Sequence, residues 1–181
     1  MRMTTSDNAL ALAAAGGDRD AFGALLSRHY DRLFGFAWRM TGDQTEAEDL
    51  TQDICLALPR KLGGFRGDAQ FTTWLYRVAM NAAHDRRRRA ATRTRAADGW
   101  GDWEQNRQAA NAETADALDW LTQAMQTLKP DLRDTATLIL GEDVTQAEAA
   151  QIMGVSEGTI AWRMSEVKKA LRAQRASEEA Q

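Results

Sequence analysis

Apolar residues recur every three to four positions along most of the chain and rarely alternate with polar ones. That is the period of an amphipathic helix rather than a strand. Phe22, Leu25, Leu26, His29, Leu33, Phe36, Ala37 and Met40 form a first long stripe, with Asp18 placed to cap it. Thr41-Gly42-Asp43 breaks the pattern. Thr45 and Glu48 then have the T-x-x-E spacing of a capping box, which predicts a second helix starting there. Ala47, Leu50, Ile54 and Leu58 mark its inner face, and Pro59 is predicted to end it. Lys61 to Gln70 carries Gly63, Gly64 and Gly67 and reads as a loop. Phe71, Trp74, Leu75, Val78, Ala79 and Ala82 make a third stripe, which runs out into Arg86-Arg87-Arg88-Arg89.

From about Ala90 to Ala112 the period disappears, as expected of a flexible linker. It resumes through Ala117, Leu118, Leu121, Met125 and Leu128. Pro130 suits the first position of another helix, with Leu132, Ala136, Ile139 and Leu140 facing inward and Gly141 as its stop. Thr145 and Glu148 form a second capping box, with Val144 ahead of it as a staple to Ala149. Next comes Gly154-Val155-Ser156. The glycine can take a left-handed conformation, the valine can plug the angle between two helices, and the serine can cap the second. That second helix carries Ile160, Met164, Val167 and Leu171 on one face and Arg163, Lys168, Lys169 and Arg172 on the other. A short helix, a glycine-apolar-serine turn and a longer basic helix make the helix-turn-helix that reads the major groove. A plain helical hairpin is the alternative.

Composition narrows the function. The chain has 181 residues, 44% of them hydrophobic, enough for two small helical domains. A single cysteine, Cys55, excludes an internal disulfide and a cysteine-rich zinc site, and fits a reducing cytoplasm. It reads as a small buried hydrophobe. His29 and His84 have no ligand-spaced neighbours, so no metal site is expected. No leader pattern and no long apolar run predict secretion or membrane insertion. The net charge of −3 argues against a free-standing, tight DNA binder, but its distribution is uneven. Residues 41–70 hold six acidic and three basic residues, and 71–95 hold one acidic and seven basic. Residues 113–143 hold seven acidic and two basic, and 144–175 hold three acidic and five basic. Two segments can therefore meet nucleic acid while two others suit a protein partner. Asp49 and Asp53, four apart on one helix face, come with no nucleophile, base or phosphate-cradling loop, so no catalytic site, cofactor or small-molecule substrate is expected.

Several runs, taken in order, resemble a known family. They are Ala21-Phe22, Thr41-Gly42-Asp43, Ala47-Glu48-Asp49-Leu50-Thr51-Gln52-Asp53, Phe71-Thr72-Thr73-Trp74-Leu75, Asn81, Leu128-Lys129-Pro130, Gln146 to Ala150 and Met153 to Ile160. Together the chain resembles the extracytoplasmic-function (ECF) sigma factors, the small subunits that direct RNA polymerase to promoters. The resemblance implies an all-α fold in two domains: a region 2 bundle over 18–90 and a region 4 helix-turn-helix over 113–175. A flexible linker (91–112) joins them, between an N-terminal segment (1–17) and a tail (176–181). It implies that Asp49, Gln52 and Asp53 dock on core polymerase. The minus-ten DNA would fall to Phe65, Arg66, Phe71, Arg77, Asn81, Arg86, Arg87, Arg88 and Arg89, with the glycine-rich loop gripping an unstacked base. Ser156, Glu157, Thr159, Trp162, Arg163, Lys168 and Lys169 would meet the minus-thirty-five element. Ala161, Trp162, Glu166 and Val167 depart from the family's usual residues, which suggests weak minus-thirty-five binding. An anti-sigma factor is the further implied partner. A dimeric helix-turn-helix regulator and a sigma-like decoy that binds no DNA are the alternatives.

Overall fold

A computed structural model of the chain describes residues 5–97, 117–142 and 144–179. Every regular element among them is helical: α1 (Asp7–Ala15), α2 (Arg19–Thr41), α3 (Gln44–Leu62), α4 (Phe71–Ala97), α5 (Ala117–Gln126), α6 (Pro130–Gly141), α7 (Gln146–Met153) and α8 (Glu157–Glu179). The first four form one half and the last four the other. Most of the stretch expected to be a linker lies outside the described residues, but α4 itself continues past residue 90 to Ala97.

The stripes read from the sequence do become the core. Leu33, Phe36, Ala37, Leu50, Ile54 and Leu75 are almost wholly buried between α2, α3 and α4. Burying each large aliphatic side chain contributes roughly 1.5–3 kcal/mol, which is what holds these helices on one another. Asp18 caps α2, its Oδ1 accepting from the N–H groups of Asp20 and Ala21 at 3.0 Å. The Thr145–Glu148 capping box is formed at α7. Gly154 closes α7 with φ 67°, and Ser156 Oγ accepts from the Thr159 N–H at 3.1 Å to open α8.

Four local expectations need correcting. α3 is capped by Asp43, whose Oδ1 accepts from the Glu46 N–H at 2.9 Å, so the helix begins ahead of Thr45. It also runs past Pro59 to Leu62. A proline there costs only its missing N–H and the crowding of one turn, while Leu58 and Leu62 on either side of it are buried. Leu140, expected inside, is exposed, and polar Asp134, Thr135 and Thr137 of α6 are buried. α1, which no apolar period announced, packs against α2, α3 and α4.

The burial of Asp134, Thr135 and Thr137 has its cause in the way the halves meet. α6 lies on α2, and α7 lies on α4. One continuous apolar cluster joins Phe36, Tyr76 and Met80 to Leu138, Ala149, Ala150, Ile152 and Ile160. A second cluster of Met125, Leu128, Ala136 and Val167 belongs to the C-terminal half alone. α4 and α6 are thus covered on two sides, and residues that look solvent-facing in a one-sided helical pattern are buried.

Candidate functional site

An acidic face lies on α3. Asp49, Gln52 and Asp53 are exposed along one side, and Leu56, next on the same side, is 73% exposed. Leu56 thus places one bare apolar side chain among the carboxylates of this face. Sequence reasoning missed it because one apolar residue outside the stripe is unremarkable by itself. The carboxylates are braced from α4. Arg86 reaches Glu46 at 2.7 Å, Asp49 at 3.0 Å and Asp53 at 3.4 Å, and these contacts raise its already high pKa. Arg86 was expected on DNA, yet its guanidinium is committed to its own acidic face.

The glycine-rich loop and α4 make a second face. Arg66, Asp68, Ala69 and Gln70 are exposed at the tip of the loop. Phe65 and Phe71 are not available as stacking platforms. They are 6% and 3% exposed and, with Trp74, form an aromatic cluster whose ring centroids lie 5.5–5.9 Å apart. Their rings anchor the loop from beneath, since large aromatic area is better buried when the core has room for it. Asn81, Arg88 and Arg89 are exposed farther along α4, and Arg88 pairs with Asp85.

Between these faces and the C-terminal half runs a polar seam. Asp134 of α6, with its side chain 2% exposed, takes both Arg87 nitrogens at 3.1 and 3.2 Å and His84 Nε2 at 2.8 Å. Burial opposes its ionisation, but the bonds from His84 and Arg87 outweigh it and hold the carboxyl below the usual range. Glu142, just past α6, is buried equally deeply against Arg39, Arg32 and the Tyr76 hydroxyl. Here burial wins, and the carboxyl sits above its usual range despite the arginines. Burial and the neighbouring Glu142 push the Tyr76 hydroxyl up as well. Arg32 also donates to the Glu142 carbonyl at 2.9 Å, and Gln126 donates to the Arg39 carbonyl at 3.0 Å. Arg77 donates to the Gln151 carbonyl of α7 at 2.8 Å. Two of the arginines expected on DNA, Arg77 and Arg87, are therefore held by the C-terminal half.

The outer face of α8 completes the set. Ser156, Glu157, Trp162, Lys168 and Lys169 are exposed, Thr159 is half-buried, and Arg163 reaches Asp131 at 3.1 Å. Trp162 is 61% exposed, so it does not pack inward. His29 is buried against Asp7 rather than at the surface, and Cys55 is half-buried, with burial pushing its thiol up. Among the described residues no cluster of histidine, cysteine and carboxylates suits a metal ion, and no helix is long and apolar enough to cross a membrane.

A four-helix domain bearing an acidic face and a glycine-rich loop, followed by a helix-turn-helix, is the architecture of a promoter-specificity subunit. The comparisons make the class particular. The Sigma-70 region 2 family matches residues 25–93, and the Sigma-70 region 4 family matches residues 118–171. The ECF RNA polymerase sigma factor SigM of Mycobacterium tuberculosis is 32% identical over 94% of this chain and 85% of its own. The structure of CnrH in complex with the cytosolic domain of CnrY superposes with a TM-score of 0.73 at 26% identity, covering 96% of this chain and 99% of that one. The sigma factor RpoE of Bartonella quintana, solved with the anti-sigma factor NepR, gives 0.71 at 25% identity, over 84% and 94% of the two chains. The chain belongs to the ECF sigma factors and is an alternative sigma factor for transcription initiation.

Proposed function

We propose that this sigma factor engages core polymerase first and promoter DNA only afterwards. The observation that carries the order is the polar seam: Arg77 and Arg87 of α4 are held by Gln151 and Asp134 of the other half. With Arg87 neutralised by Asp134 and Arg77 tied to a carbonyl, the free chain has fewer charges on α4 to exchange for DNA counterions. Polymerase would bind through Asp49, Gln52, Asp53 and Leu56, and its docking would part the halves and release the arginines. The loop tip around Arg66, together with Asn81, would then take the unpaired minus-ten strand. The face of α8 carrying Ser156, Glu157, Thr159, Trp162, Arg163, Lys168 and Lys169 would read the minus-thirty-five element. Trp162 would supply an apolar contact such as one to a thymine methyl, and Glu157 and Glu166 would temper affinity there. The chain does no bond chemistry itself and works in the cytoplasm, where the polymerase is.

Control by an anti-sigma factor belongs to the same reading. RpoE was solved with such a partner. A partner that stabilised the closed arrangement would act by linkage, keeping Arg77 and Arg87 bonded to the C-terminal half.

Run-off transcription with purified core polymerase on genomic fragments tests the reading. New transcripts should appear only when the chain is added, and Asn81→Ala should cut them at least tenfold while core binding stays intact. A palindromic footprint without polymerase would instead establish a free-standing regulator. Core binding with no transcript would establish a decoy.

A further inference from the structure

The region 2 match begins at residue 25 and leaves α1 without a role. α1 is nonetheless firmly docked. Ala11 is fully buried, and Leu10 and Ala14 pack against the core. Asp7 pairs with Arg28 and with His29, each at 2.7 Å. The His29 ring in turn meets the edge of Phe71, with centroids 5.3 Å apart. These contacts fix the first turn of α1 against the start of α4.

The residue after Asp7 is the informative one. Asn8 Nδ2 donates to the Ala69 carbonyl at 3.0 Å, and its Oδ1 accepts from the Phe71 N–H at 2.7 Å. One side chain therefore clasps the last turn of the glycine-rich loop and the first N–H of α4, 63 positions away in sequence. A helix N-terminus leaves such N–H groups without intrahelical partners, and a side-chain oxygen is the usual remedy. Here the remedy comes from a different helix. One turn further on, Leu12 is 48% exposed and lies over Gly67, where an added Cβ would come within 3.6 Å of Leu12 Cδ1. Gly67 itself is left-handed, with φ 79°.

We propose that α1 is the positioning element of the minus-ten loop, with Asn8 as its principal positioning residue. The proposal rests on the reading that loop 63–70 takes the unpaired base. A loop containing Gly63, Gly64 and Gly67 has much conformational freedom to lose when it closes on DNA. Asn8 and Leu12 hold it in one arrangement beforehand, so base capture costs less ordering and one base fits better than the others.

The test uses the full chain bound to core polymerase. The probe is a single-stranded oligonucleotide whose minus-ten segment has been selected from a random pool by the unaltered holoenzyme, with a scrambled version as reference. Fluorescence anisotropy gives the preference for selected over scrambled strand, and core affinity and melting temperature are measured alongside. Asn8→Ala should reduce that preference about tenfold and leave core affinity unchanged. Asn8→Asp, which keeps the acceptor for Phe71 but loses the donor to Ala69, should recover part of it. Leu12→Ala, which leaves Asn8 and Asp7 in place, should show a smaller loss. The double variant Arg66→Ala, Asp68→Ala reports on the loop itself. If it abolishes the preference while Asn8→Ala keeps it, the positioning role is overturned and the loop reading stands. If the double variant keeps the preference, the loop reading fails and takes the positioning role with it. Equal losses on both strands with a lowered melting temperature would make α1 merely structural and overturn the proposal.

Discussion

Glu142→Ala is expected to open the molecule. The substitution strips Arg39 and the Tyr76 hydroxyl of their carboxylate acceptor and leaves Arg39 only its long contact to the Gly141 carbonyl at 3.4 Å. Removing one partner of a buried pair typically costs about 3–5 kcal/mol. The arginines are only partly buried, with side chains 23% and 45% exposed for Arg39 and Arg32, so the lower end applies. Neither half needs to unfold to relieve that cost, because parting them returns both arginines and the tyrosine to water. Small-angle scattering should therefore show a larger radius of gyration than the roughly 16 Å expected of a compact chain of this length. A single cooperative melt should split into two. The free variant should also bind single-stranded DNA more tightly, because Arg77 and Arg87 are released. Unchanged dimensions would show that the apolar cluster closes the seam without the carboxylate. Closure should also depend on pH. Glu142, raised above its ordinary 4.5 by burial, takes up a proton on closing, so the proton-linked part of its contribution is fully present below that value and is lost as pH rises through the raised one, which makes mildly acid solution the condition in which Glu142→Ala has its largest effect. Asp134, lowered from 3.8, contributes above that value and is lost as pH falls through the lowered one. Closure should be strongest in mildly acid solution and weaken towards neutrality.

Why Glu142 and Asp134 escaped notice in the sequence is instructive. Both belong to the acidic stretch 113–143, which reads as a face for a foreign protein. Two of its carboxylates instead serve the chain's own N-terminal half, Asp134 pairing with Arg87 of α4, 47 positions away, and Glu142 with Arg39 of α2, 103 positions away. Local pattern carries no record of such pairings. What pattern does carry came through well. α2, most of α3 and the helix-turn-helix each show a one-sided stripe and a side-chain cap or turn glycine written within a single element, whereas α4 shows the stripe and takes its cap from Asn8 of α1. α1 lacked both a one-sided stripe and a visible partner. Its sequence, DNALALAAA, is small and apolar on every side, so no face stands out. Phe65 and Phe71 show the complementary error. An aromatic beside a glycine-rich loop suits either stacking on a base or anchoring the loop, and only their burial decides for anchoring.

Asp53→Arg should abolish transcription by opposing the proposed docking of the acidic face on polymerase. The acidic face is open, with the Asp49 and Asp53 side chains 54% and 55% exposed, so a basic partner can reach it directly. A reversed charge there adds repulsion to the lost attraction. Like charges opposed across an interface cost several kcal/mol, which corresponds to at least a hundredfold in core affinity. Fluorescence titration of labelled core polymerase measures this, and wild-type affinity in the variant would remove Asp53 from the docking surface. Arg86 provides the control, because the sequence and the structure assign it differently. If it followed the DNA strand, Arg86→Ala would lower the salt-dependence slope of DNA binding by the holoenzyme by about one. Its side chain is only 24% exposed and spread over three carboxylates, whereas that of Arg88 is 80% exposed. Arg86→Ala should therefore leave the slope unchanged and weaken core binding by no more than about fivefold, because ion pairs this open contribute little each. Arg88→Ala and Arg89→Ala should each lower the slope and leave core binding alone. A fall in slope for Arg86→Ala would mean that polymerase, in claiming Asp49 and Asp53, hands the arginine on to the promoter.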